Sequence, residues 1–131
     1  MDTENKIEME DSPALPSGFR AAGVHCGVKP AGPDLAIIAS DTPCTAAGTF
    51  TTNRAAAACV RYCRERLSGK TMRGIVVNSG NANACTGPQG LRDAKLMAQG
   101  GAAEMDSHDH EVVVSSTGVI GQPLPIRTIL S

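Results

Sequence analysis

The 131-residue sequence predicts an α/β protein, a layered sandwich of sheet and helix, and three observations carry that expectation. Short apolar runs rich in β-branched residues, DLAIIASD, GIVVN and EVVVS, are bounded by turn-forming or polar residues, as buried strands are. Between the last two runs, Leu91, Ala94, Ala98, Gly101, Ala102 and Met105 recur at helical spacing. Aromatic residues make up only 2% of the chain against 41% hydrophobic residues, so the core must be built from aliphatic side chains and Met. Such side chains suit closely packed sheet and helix layers.

Residues 1–17 are acidic and polar, closed by Pro13 and Pro16, and are expected to form a disordered extension. Residues 18–131 form the folded part. Gly18 to Lys29 reads as an extended segment, and Pro30-Ala31-Gly32-Pro33 as a turn. Asp34 to Asp41 is a strand, and Thr49 to Asn53 is extended again. Ala55 to Leu67 is ambiguous: its alanines favour helix, but tertiary context can override propensity. Gly74 to Asn78 is a strand followed by an Asn/Gly loop, Ser79 to Cys85. Thr86-Gly87-Pro88-Gln89 fits a capping box that opens a helix reaching about Met105. Gly100 and Gly101 each weaken that helix by roughly 1 kcal/mol relative to Ala. Glu111 to Ser115 is the next strand, broken at Ser116-Thr117-Gly118. Pro123-Leu124-Pro125 opens a second helix with Ile126, Ile129 and Leu130 on its apolar side, and Ser131 cuts it short.

Several function classes are disfavoured. The net charge is −1, with 12 basic residues scattered among 13 acidic ones, so neither a basic stripe nor a row of stacking aromatics marks a nucleic-acid partner. No run is long and apolar enough to span a bilayer, and the first residues resemble neither a secretory nor a mitochondrial leader. The expected compartment is therefore the cytoplasm. Five cysteines, Cys26, Cys44, Cys59, Cys63 and Cys85, stand at irregular spacing without a CxxC or a finger-like His pair, so free thiols and no metal are expected. His108-Asp109-His110 reads as a solvated turn before a strand.

Three segments are candidates for chemistry. Gly69-Lys70-Thr71 looks like the end of a phosphate-binding loop, but Arg64 stands where that loop needs Gly and no strand precedes it. Gly74 to Gly90 feeds a strand through a Gly/Asn loop into a capped helix. That arrangement presents amides to an anion, or is simply a tight connection using Asn for left-handed angles. Cys85 lies just before this helix, yet His25, His108 and His110 offer no recognisable base, so an inert buried thiol is expected. In the third segment, Val112 to Pro125, a strand ends on Thr117 and Gly118. Two adjacent donors, one lacking a shielding side chain, are what a developing oxyanion requires; a plain turn is the alternative.

The strings FRAAGVHCGVK, DLAIIASD, TAAGTFTTNRAA, VVNSGNANACTGPQGLRDA and VVVSSTGVIGQPLP occur in this order. Together they closely resemble the N-terminal part of the ornithine acetyltransferase family, the glutamate N-acetyltransferases of arginine biosynthesis. The resemblance runs from Phe19 to Leu130. It departs mildly at His25-Cys26, at the alanine run 55–58 and at the helical Gly pair. It implies an enzyme whose precursor cleaves itself before a Thr, freeing that Thr as the nucleophile of a second chain. Acetyl then passes from N-acetylornithine to glutamate through an acyl-enzyme, with acetyl-CoA as a possible further donor and no bound cofactor. The family's oxyanion-hole Thr and Gly match Thr117 and Gly118. Nucleophile, cleavage site and substrate-binding residues are expected beyond Ser131, in a downstream chain that associates with this one as a hetero-oligomer. The implied fold is the sandwich that the family shares with self-processing aminopeptidases, of which this chain holds the N-terminal portion. Two other outcomes remain: an inactive remnant or structural subunit, and a self-processing aminopeptidase, which the arginine-family strings disfavour.

Overall fold

A computed structural model describes residues 14–68 and 71–131. Most of the acidic extension, and Gly69-Lys70 of the phosphate-loop reading, lie outside these residues; residues 14–17 are exposed. Strand β1 (Phe19–Val24) leaves a turn in which the Phe19 amide donates to the Pro16 carbonyl, and pairs antiparallel with β2 (Leu35–Thr45). A break in register between Ala39 and Cys44 carries β2 beyond its apolar run. Strand β3 (Thr71–Asn81) continues the antiparallel sheet, and β4 (Val112–Val119) lies parallel to β3, giving the order β1-β2-β3-β4. The change of direction follows from helix α2 (Gly87–Glu104), because a parallel neighbour can be reached only by a long crossover.

Helix α1 (Ala58–Arg66) resolves the ambiguous alanine segment. Its Ala58, Cys59, Tyr62 and Cys63 are buried against β4 and α2, so packing adds to the propensity of Ala. The Tyr62 hydroxyl donates to the Asp109 carbonyl at 3.0 Å, tying α1 to the short 3₁₀ turn Asp109–Glu111 that precedes β4. His108 caps that turn, so the His108-Asp109-His110 motif opens it, and the two imidazoles stack at 5.3 Å. The C-terminal helical turn α3 (Ile126–Ile129) buries Ile129 but leaves Leu130 exposed, contrary to its expected apolar side.

Along β3, Met72, Gly74, Val76 and Asn78 alternate with more exposed neighbours and point to the helices. Along β4, Val112 and Val114 do the same. The core therefore lies between this face and α1 and α2, around Val76, Val112, Val114, Met97 and Ala98. The helical glycine pair has a steric reason. A Cβ on Gly101 would sit 2.1 Å from Val76 Cγ2, so the helix can press onto β3 only without one.

The capping box does not form. Thr86 is the N-cap of α2, but its φ of −110° and ψ of 6° are not the extended geometry that aims a hydroxyl at the first-turn amides. The hydroxyl donates to Asn83 Oδ1 at 2.8 Å instead, and Gln89 Nε2 donates to Asp93 Oδ1 at 2.7 Å.

Candidate functional site

Thr117 and Gly118 stand in adjacent positions at the end of β4, both exposed. They do not break the strand as expected: parallel pairing with β3 continues through Ser79↔Thr117 and Gly80↔Gly118 to Asn81↔Val119. In the alternation of β4, Thr117 follows Val113 and Ser115 onto the face of the sheet that carries no helix. Gly118 has φ +131°, a region in which only glycine is at ease. A Cβ there would lie 2.3 Å from the Gly80 carbonyl carbon and 2.6 Å from the Asn81 nitrogen. The two backbones therefore touch, and Gly118 is fixed from behind while its outer side stays open. Beside it, Val28, Gly80, Asn81, Val119, Gln122, Pro123 and Pro125 line a cleft of about 370 Å³. Val119 and Ile120 beyond it are exposed apolar residues.

The Asn/Gly loop after β3 supports this strand end. Asn78 Nδ2 donates to the Asn81 carbonyl at 2.9 Å. Asn81 Nδ2 donates to the carbonyls of Gln122 at 3.2 Å and Pro123 at 3.0 Å. Asn83, at φ +47°, donates from Nδ2 to the Gly90 carbonyl in the first turn of α2. The Ala82 amide donates to the Val119 carbonyl, and the Gly121 amide to that of Ala84. Asn78, Asn81 and Asn83 are buried, and their amides are spent on the protein itself. The segment Gly74 to Gly90 thus acts as a connection that joins the exits of β3 and β4 to the start of α2. Asn78 Oδ1 is buried without a hydrogen-bond partner among the described residues.

Cys85 corrects an expectation: it is exposed, not buried, at φ +56°. The left-handed angle turns the residue out of the connection just before Thr86. It lines a separate hollow with Arg54, Arg61, Thr86 and Gly87. The other cysteines are buried or half-buried, and all five are free. Burial pushes the Cys63 thiol above its ordinary pKa, although its Sγ accepts from the Val114 amide and donates to the Val114 carbonyl. Among the described residues no cluster of His, Cys, Asp and Glu has the arrangement of a metal site, and no helix is long and apolar enough to cross a membrane.

One charged residue of this region was read from the sequence only as the start of a strand. Asp34 is 1% exposed. Its Oδ1 accepts from the Cys26 amide at 2.7 Å, and its Oδ2 from those of Gly27 at 3.1 Å and Lys29 at 2.8 Å. His25 Nδ1 lies 3.3 Å from Oδ2 and 2.8 Å from the Gly32 carbonyl. Burial alone would raise the carboxyl pKa, but the backbone amides outweigh it and hold the group well below the usual carboxylate range.

The fold is an α/β layer of the ornithine acetyltransferase type, as superposition on two crystal structures shows. Ornithine acetyltransferase from Mycobacterium tuberculosis, complexed with ornithine, superposes with a TM-score of 0.84 at 42% identity, over 88% of this chain and 63% of that one. Arginine biosynthesis bifunctional protein ArgJ from Bacillus halodurans does so with a TM-score of 0.83 at 41% identity, over 87% and 60%. Residues 20–131 match the ArgJ family model, and the chain belongs to that family. Among the curated relatives, the bifunctional ArgJ of Thermotoga neapolitana is 52% identical over 89% of this chain, and that of Chlorobaculum tepidum 46% identical over 91%. The chain spans about 30% of the length of these relatives, consistent with an N-terminal part.

Proposed function

We propose that this chain supplies the oxyanion hole of an acetyltransferase of arginine biosynthesis, through Thr117 and Gly118. The observation that carries the reading is the Gly118 turn. A residue at φ +131°, pressed on Gly80 behind and open in front, leaves a fixed backbone that a substrate oxygen can approach closely. In the reaction, a threonine hydroxyl from the protein beyond this segment attacks the acetyl carbonyl of N-acetylornithine. The carbonyl oxygen becomes an oxyanion at Thr117-Gly118; its collapse breaks the C–N bond, and ornithine leaves with the proton. The amine of glutamate then attacks the acyl-threonine ester, and the threonine hydroxyl is restored. Acetyl-CoA as a second donor would enter through the same acyl-enzyme.

Two further points support this reading. Thr117 projects from the helix-free face, where a second chain carrying the nucleophile can lie against it as a hetero-oligomeric partner. The solved relatives are matched over about three-fifths of a chain and the curated relatives over less than a third, as expected where a precursor is divided in two. The free cysteines suit the cytoplasm, although curated relatives include a protein named as mitochondrial from Uncinocarpus reesii.

Steady-state kinetics on the complete, processed protein test the proposal. Loss of one oxyanion donor costs about 10²–10³ in kcat, and Thr117→Ala should fall in or below that range with KM little changed, because its amide survives. Gly118→Val should be at least as harmful. If Thr117→Ala keeps wild-type kcat while Ser115→Ala loses it, the assignment is withdrawn. The segment alone should trap no acetyl with hydroxylamine; acetyl found on it would shift attention to the exposed Cys85.

A further inference from the structure

We propose that Asp34 is a positioning residue for the Thr117–Gly118 strand end, holding from behind the two β3 residues that pair with it. The inference rests on the reading above and adds a residue that the reading does not require.

Two separate contacts lead from Asp34 to the site. Through its backbone, the Asp34 carbonyl accepts from the Ser79 amide at 2.9 Å, and Ser79 is the register partner of Thr117. Through its side chain, the carboxylate gathers the amides of Cys26, Gly27 and Lys29, so residues 26–29 wrap around one buried charge. That loop is laid on Gly80. A Cβ at Gly80, where φ is +107°, would meet Lys29 Cγ at 2.7 Å and Val28 Cγ1 at 3.0 Å. Gly80 in turn occupies the space behind Gly118, and Val28 forms a wall of the adjoining cleft. One residue thus clamps Ser79 directly and Gly80 through the loop.

A carboxylate buried to 1% exposure with three backbone donors holds residues 26–29 more rigidly than the loop's own backbone would, because each amide makes a charge-assisted hydrogen bond to it. Asparagine has the same size but presents an NH₂ group where one or two amides must donate. The loop would lose its centre, and Gly80 and Gly118 would gain freedom. A displacement on the order of 1 Å near reacting atoms costs about 10²-fold in rate.

The test uses the complete processed protein. Asp34→Asn should lower kcat by about 10- to 100-fold with KM little changed. It should also speed amide hydrogen exchange at Gly80 and Gly118. Met97→Ala, in the core away from the site, is the control for lost stability: it should lower the melting temperature without the same fall in kcat. If Asp34→Asn does not accumulate as folded protein, Val28→Ala keeps the carboxylate and withdraws the loop from Gly80, with the same expectation at smaller amplitude. Unchanged exchange at Gly80 and Gly118, or a kcat loss no greater than that of Met97→Ala at equal stability, overturns the inference. Were Thr117→Ala to retain full activity while Asp34→Asn still loosened Gly80 and Gly118, the oxyanion reading would fail and the clamp would stand.

Discussion

At the scale of single residues, the positive-φ glycines Gly80, Gly118 and Gly121 and the deeply buried Asp34 carboxylate gather around the end of β4. Gly118→Ala should destabilise the fold by about 1–3 kcal/mol from backbone strain alone, before the collision with Gly80 is added. Chemical denaturation checks this, and a neutral result would mean that β3 and β4 part more easily than their pairing indicates. Asp34 gives a pH signature of determined sign. Its carboxyl is held below its unfolded value of 3.8, so the stability it contributes is complete above that value and is lost as pH falls through the folded one. The stability difference between wild type and Asp34→Asn should therefore be largest near neutral pH and shrink under acid; a gap that widens below pH about 4 would contradict the assignment. Thr117 and Gly118 were candidates from a β-branched run ending on Gly, a pattern that also fits a plain turn, and their oxyanion role comes from the family resemblance. Asp34 could not be singled out from the sequence, since the three amides that define it converge only once the turn 25–33 has folded.

Elements tell a related story. Helix α2 was legible from its apolar spacing, and its glycine pair read as a weakness. The structure separates the two positions. A Cβ on Gly101 meets Val76, buried in the sheet, whereas one on Gly100 meets only the end of the exposed Leu130 side chain at 2.5 Å. Gly100→Ala should be neutral or stabilise by up to about 1 kcal/mol, because helix propensity improves and Leu130 can turn away. Gly101→Ala should destabilise despite the same gain in propensity, because a packed layer must move. Equal effects of the two substitutions in urea titrations would refute this account. What the sequence did not disclose was how far the strands run. The pairing of Ser116–Val119 with β3, and of Cys44 and Thr45 with Met72 and Thr71, is supplied by neighbours that no local pattern names. The capping box failed similarly: the residue types were right, but left-handed Cys85 and Gly87 turn the Thr86 hydroxyl toward Asn83.

For the molecule as a whole, the two faces of the sheet differ. One is covered by α1 and α2; the other carries Ile38, Ile75 and Val113 in one row across three strands, with Ile75 38% exposed. The chain on its own should self-associate, visible as concentration-dependent light scattering, and the partner chain of the proposed reading should suppress this; a soluble monomer at all concentrations would count against a covered face. Thiol reactivity should divide accordingly: Cys85 should react fast in the native protein, and Cys59 and Cys63 only on unfolding. The parallel pairing of β3 with β4 has a consequence for how the chain folds. The unit β3-α2-β4 supplies the largest share of the core, whereas every residue of β1 is exposed at the sheet's edge. That unit is the natural nucleus, and the outer hairpin condenses on it later. Val114→Ala should accordingly slow refolding, while Ala22→Gly should leave the refolding rate alone and hasten unfolding, so the strand end bearing Thr117 is assembled early and the edge strand arrives last.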